Sequence, residues 1–182
     1  LNSRTYQASA KPNEFNREDT QFFSHYRPHL LTAEQMLDAV CQVTGTKEVF
    51  KGLPAGTRAT ALPSPQLTNG FLKTFGQPTR SSVCACERPS EPQLAQALEL
   101  LNGKFLHSKL KHPANRLHQL VAAKQTDAEI IHTIFLVALA REPTPREMKL
   151  ILEHMEKTKN RTQALADICW SVLNMNEFLF QH

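Results

Sequence analysis

From Ser90 onward, apolar residues recur at three- and four-residue intervals, the spacing that gathers them on one face of a helix. In "PSEPQLAQALELLNG" the stripe is Leu94, Ala97, Leu98 and Leu101. Ser90 with Gln93 reads as a capping box there, and Pro92 sits in the first turn, where its missing N–H costs little. A short basic helix follows around 104–110, and "PANRLHQLVAAK" places Leu117, Leu120 and Val121 together. "TDAEIIHTIFLVALARE" opens on Thr126 and Glu129 and is apolar nearly all round, which marks a central helix. "TPREMKLILEHMEKTKN" repeats the grammar with Thr144, Pro145 and Glu147, and predicts an inward face of Met148, Ile151, Leu152 and Met155. "TQALADICWSVLN" buries Leu165, Ile168, Cys169, Val172 and Leu173, and "NEFLFQH" tucks down as a final turn.

The first half of the chain is less regular. "TAEQMLDAVCQVTG", 32–45, is a helix with Thr32 and Gln35 as its capping box, a stripe through Met36, Leu37, Val40, Cys41 and Val43, and Gly45 to end it. Residues 46–89 hold four of the six glycines and five of the eleven prolines. A short helix at 69–75 is expected in this stretch, with short strands at 57–62 and 82–86. Residues 1–31 show no sustained period. Asn2, Ser3, Ser9, Pro12, Asn13 and Asn16 predict an extended arm, with Tyr6, Phe15, Phe22, Phe23 and Tyr26 as its anchors. The expectation is one all-α domain over 1–182. An extended arm (1–31), a first helix (32–45) and a long Pro/Gly-rich loop region (46–89) lead into an irregular helical bundle (90–182).

Composition narrows the function classes. Hydrophobic residues make up 41% of the 182, enough for a core, at a mean hydropathy of −0.39. No apolar run reaches the roughly 18–20 residues of a membrane span, and 130–140 is broken by His132 and Thr133. The polar opening carries no secretory signal, and a start at Leu1 rather than Met is what a piece of a longer protein would show. The net charge of +4 is mild. It concentrates in 103–125, where Lys104, Lys109, Lys111, Arg116 and Lys124 stand with three histidines and no acid. Such a segment is either a solvated helix face or a surface for an anionic polymer. Phe105 is its single aromatic, which argues against nucleic acid.

One loop holds candidate chemistry, "SSVCACERPSEPQ". Cys84 and Cys86 admit several readings. As zinc ligands they need two companions, for which His25, His29, His107 and His112 are available and His25 is the first choice. As a redox pair they lack the C-x-x-C spacing at a helix N-terminus. As disulfide partners they close a tight ring on each other or reach Cys41 or Cys169. As free thiols they belong to plain loop. Glu87, Arg88 and Glu91 suit a loop ion pair and first-turn acids. Alternatively, Arg58, Arg80 and Arg88 form a pocket that grips an anion. Among the basic residues of 103–125, Lys109, Lys111 and Arg116 are the anion-binding candidates. Cys41 and Cys169 lie in helical patterns and read as small buried hydrophobes. No G-x-S-x-G, Walker loop or H-E-x-x-H occurs, so no catalytic residue identifies itself.

Six ordered blocks carry a family resemblance. "SRTYQASAKPNEFNRED", "HYRPHLLTAEQMLDAVCQVTG", "FKGLPAGTRATAL", "FLKTFGQPTRSSVCACERPSEPQLAQALELLNG", "ALAREPTPREM" and "WSVLNMNEFLFQH" together resemble the planctomycete-type PSD domain, a C-terminal domain of unknown function. The resemblance spans essentially the whole chain. It implies a parent protein that is exported to the periplasm or cell surface and carries a cytochrome-c-like domain with a c-type haem. Partners would then be the other domains of that polypeptide. No cofactor is expected in this segment, which lacks C-x-x-C-H. The family often has glutamate where this chain has Ala85, and a basic residue where it has His29. The leading expectation is therefore a non-catalytic accessory domain. The alternatives are a redox or metal site at Cys84 and Cys86, and anion or polyanion (glycan, nucleic acid) binding by 103–125.

Overall fold

Thr32 starts the first regular helix as its sequence demands. The Thr32 hydroxyl accepts from the Gln35 N–H while the Gln35 side chain accepts from the Thr32 N–H, and α1 (Ala33–Thr44) follows. It stops at Gly45, whose φ of +69° is a conformation that disfavours any residue with a Cβ. The computed structural model describes residues 3–4, 7–19, 21–78 and 93–181. After α1 come a 3-10 turn (Ala59–Ala61), α2 (Gly70–Thr74), α3 (Leu94–Asn102), α4 (Lys104–Lys111) and α5 (Arg116–Ala122). The chain closes with α6 (Asp127–Leu139), α7 (Pro145–Lys157), α8 (Arg161–Leu173) and α9 (Asn176–Leu179).

The fold is an irregular, all-α bundle around α1, α6 and α8. Met36, Leu37 and Val40 of α1 meet Ile130, Ile131, Ile134 and Phe135 of α6, and Leu165, Ile168, Val172 and Leu173 of α8. Each such side chain, fully removed from water, contributes about 1.5–3 kcal/mol. Thr126 and Glu129 cap α6, and Thr144 and Glu147 cap α7, each by a reciprocal capping box.

Four expectations need correction. First, 57–62 is not a strand: Asp38 of α1 accepts the Ala59 N–H (2.7 Å) and the Thr60 N–H (3.1 Å), which winds this stretch into the 3-10 turn. Second, the leucine stripe of α3 faces water. Leu94, Leu98 and Leu101 are 75%, 53% and 50% exposed, while Gln96 and Leu100 are buried. The face of α3 that meets α2 and α4 is the one carrying Gln96 and Leu100, and Gly103 ends α3 and begins α4 with no spacer. The Gly103 N–H donates to the Glu99 carbonyl, and a Cβ at this position would collide with that oxygen and with the Glu99 side chain. Gln93 caps the helix with Gln96, so the start lies three residues later than Ser90 would place it. Third, α7 buries no residue fully. Met148, Ile151 and Met155 pack on the core from its edge, whereas Leu152 points out.

The fourth correction concerns the arm, which folds back rather than extending. Asn13 and Asn16 exchange side-chain-to-backbone bonds, Asn16 Nδ2 donates to the Ser24 carbonyl (3.2 Å), and the Tyr26 N–H donates to the Ser9 carbonyl (3.0 Å). At its root, β1 (His29–Leu30) pairs antiparallel with β2 (Phe180–Gln181), His29 opposite Gln181.

Candidate functional site

Two regions stand out once the fold is in place, the tip of the arm and a polar cleft beside α1. At the arm, the Asp19 carboxylate accepts the N–H groups of Gln21 (2.9 Å), Phe22 (2.8 Å) and Ser24 (2.9 Å), and the Ser24 hydroxyl as well. These bonds hold its carboxyl well below the usual carboxylate range, so the turn stays charged and closed near neutral pH. Phe23 sits at φ +52°, an unusual conformation for a bulky residue. Apolar rings face outward here: Phe22 and Phe23 on this turn are 83% and 69% exposed, and Phe15, on the preceding turn held by Asn13, is 97% exposed. The sequence reading placed these rings as anchors; on the described residues they are displayed.

The cleft lies between the end of α1 and the loop that returns to it, a cavity of about 460 Å³. The Gly56 N–H donates to the Glu48 carbonyl (2.8 Å), closing the loop so that Lys47 and Arg58 share the cavity wall with Cys41 and Arg116. Arg116 is anchored by Nε to the Val43 carbonyl (3.0 Å) and Nη2 to the Gln42 carbonyl (2.9 Å), a cation at the negative end of α1. Behind it, Lys109 turns inward. Its ammonium meets Glu48 (2.7 Å), the Lys47 carbonyl (3.2 Å) and the face of Phe105 (5.4 Å).

The basic segment 103–125 is thereby dispersed. Lys109 is buried in an ion pair, Arg116 caps α1, and Lys111 is exposed on α4. These three candidates do not form one outward patch. Arg58 lies on the cleft. Arg80, Cys84, Cys86, Glu87 and Arg88 lie outside the described residues, as do Tyr6, Ser90 and the proposed strand at 82–86. The Nδ1 of His25 is buried and takes no hydrogen bond among the described residues. Cys41 and Cys169 are free thiols. Burial pushes the Cys41 thiol up against the pull of Lys109, and burial pushes Cys169 up to about 12, so neither is a ready nucleophile. Lys47 is the functional candidate that sequence reasoning missed. The only signal for it was a basic residue directly after a helix-ending glycine and threonine.

Among the described residues no helix is long and apolar enough to cross a membrane, and no group of three or more His, Cys, Asp or Glu gathers at metal-binding distance. Neither a curated protein nor a solved structure matches the chain. A family model matches residues 1–155, that of PSD1, a protein of unknown function (DUF1553). The match takes in the arm, the cleft and the helices through most of α7, and on that evidence the chain belongs to the PSD1 family.

Proposed function

We propose that this is a non-catalytic accessory domain that docks, through its arm, onto the remainder of a larger exported and haem-bearing polypeptide. The observation that carries the reading is the display of Phe22 and Phe23 on a turn that Asp19 holds shut, with Phe15 exposed on the neighbouring turn held by Asn13 and Asn16. Large apolar rings held in water on one short segment are what a contact site offers, and a bulky residue in the left-handed region persists only where its surroundings hold it there. The leucine face of α3 offers a second apolar surface of the same kind. Haem and export enter from the family resemblance and concern the parent, whereas the docking role rests on the arm.

Limited proteolysis of residues 13–24 in the full-length parent and in the isolated domain tests the docking. The arm is expected to be cut readily in the isolated domain and protected in the parent. The double substitution Phe22→Ser, Phe23→Ser is expected to abolish that protection while leaving the melting temperature of the isolated domain unchanged, because neither ring is in the core. Equal cleavage in both contexts overturns the reading.

A further inference from the structure

We infer that the cleft beside α1 is a binding site for a tetrahedral oxyanion, a phosphate or sulfate group, with Arg58, Lys47 and Arg116 as its donors. Six charged residues define the local balance. Lys47, Arg58, Arg116 and Lys109 are cationic; Asp38 and Glu48 are anionic. Both carboxylates are already occupied. Asp38 accepts the Ala59 and Thr60 N–H groups and the Thr60 hydroxyl (2.7 Å), and Glu48 is paired to Lys109. Four cations against two carboxylates leave two positive charges uncompensated, and they fall on the groups that face the cavity.

The donors are also available. Among the described residues the Arg58 guanidinium and the Lys47 ammonium make no hydrogen bond or ion pair, and Arg116 bonds only neutral carbonyls through Nε and Nη2. Their bases are held. Arg58 directly precedes the Asp38-bound Ala59, Lys47 is fixed by its own carbonyl on Lys109, and Arg116 is fixed to the end of α1. Unpaired cations on anchored backbone are what charge-assisted recognition of an oxyanion uses. Three donors reaching in from the loop, from the chain after Gly45 and from α5 outnumber the two oxygens of a carboxylate and suit a tetrahedral group. The volume of about 460 Å³ falls within the range of small-molecule sites and exceeds a bare ion, so the group is carried on a larger molecule as a monoester.

Titration of the domain with inorganic phosphate, inorganic sulfate and glucose 6-phosphate, followed by NMR shifts and by calorimetry, tests the site. All three ions are expected to shift resonances of residues 45–58, with the sugar phosphate binding more tightly than the free ions and all binding weakening as salt rises. Arg58→Ala is expected to weaken binding by about tenfold or more, Arg58→Lys less, and Lys111→Ala, on the exposed side of α4, not at all. The Arg58 guanidinium has no partner among the described residues, so Arg58→Ala is expected to retain the wild-type melting temperature. Unchanged affinity in Arg58→Ala, an equal loss in Lys111→Ala, or shifts spread over the basic surface without focus on 45–58 each overturn the site. The outcome is independent of whether the arm docks.

Discussion

Glu147→Gln is the sharpest available test of how the bundle is held at its α6–α7 corner. The Glu147 carboxylate accepts from Arg141 through both oxygens (2.9 Å each), and from the Thr144 N–H and hydroxyl (2.7 Å each). Arg141 meanwhile donates to Glu177 of α9 by Nε and Nη2 (2.8 Å each), so one guanidinium ties three elements. Hydrogen bonding from Arg141 is the main reason the Glu147 carboxyl falls to about 2 from 4.5. A depression of that size corresponds to at most about 3 kcal/mol. Screening at a side chain 25% exposed reduces the expected contribution to about 1–2 kcal/mol. Glutamine keeps an acceptor for Thr144 but sets an amide N–H against Arg141. The variant is therefore expected to lose about 1–2 kcal/mol, or about 3–6 °C in melting temperature, at neutral pH. The sign of the pH dependence follows from the direction of the shift. The folded-state value is depressed, so the stabilisation is complete above the unfolded value and is lost as pH falls from 4.5 toward 2. Urea unfolding of both proteins, followed by circular dichroism, should show the gap at about pH 7 roughly halved near pH 3. A gap that is absent at neutral pH, or that stays constant in acid, refutes the reasoning.

Three further predictions are direct. Ala140 ends α6 at φ +54°; Ala140→Gly removes about 1–2 kcal/mol of left-handed strain against about 0.5–1 kcal/mol of added chain entropy, and the melting temperature should rise by about 2 °C. In a Cys41→Ser, Cys84→Ser, Cys86→Ser background, Cys169 should stay unreactive to a disulfide reagent at mildly alkaline pH and react only on unfolding, whereas rapid native labelling contradicts its burial. A chain cut after Met155, where the family match ends, loses Leu165, Ile168, Val172 and Leu173 from the core. At about 1.5–3 kcal/mol each this is about 6–12 kcal/mol, comparable to the whole stability of a domain, so the cut chain should show no cooperative unfolding.

The helices were legible because their signals are local. Thr32 with Gln35, Thr126 with Glu129 and Thr144 with Glu147 each announce a start within four residues, and the structure uses all three. What the sequence hid was relative placement. The face that α3 buries is the one that meets α2 and α4, so a clean stripe of leucines pointed to the wrong face. Lys109 reads as a surface charge because its long stem and its distant partner, Glu48, cannot be paired by spacing. The cleft was half legible. Arg58 in its loop was visible, but its meeting with Lys47 and Arg116 depends on the Gly56–Glu48 bond and on the end of α1, which are facts of the folded chain.

The pairing of β1 with β2 has a mechanical consequence. The strands run antiparallel with His29 opposite Gln181, so the chain before His29 and the chain after Gln181 leave the pair at the same end. Tension applied across the two ends would peel this clasp bond by bond instead of shearing it as a unit. The clasp is two residues long on each side, whereas α1 and α8 are locked by buried side chains. Under load, the arm would come free first while the helical body stayed whole, giving the domain a tether that releases before its core yields.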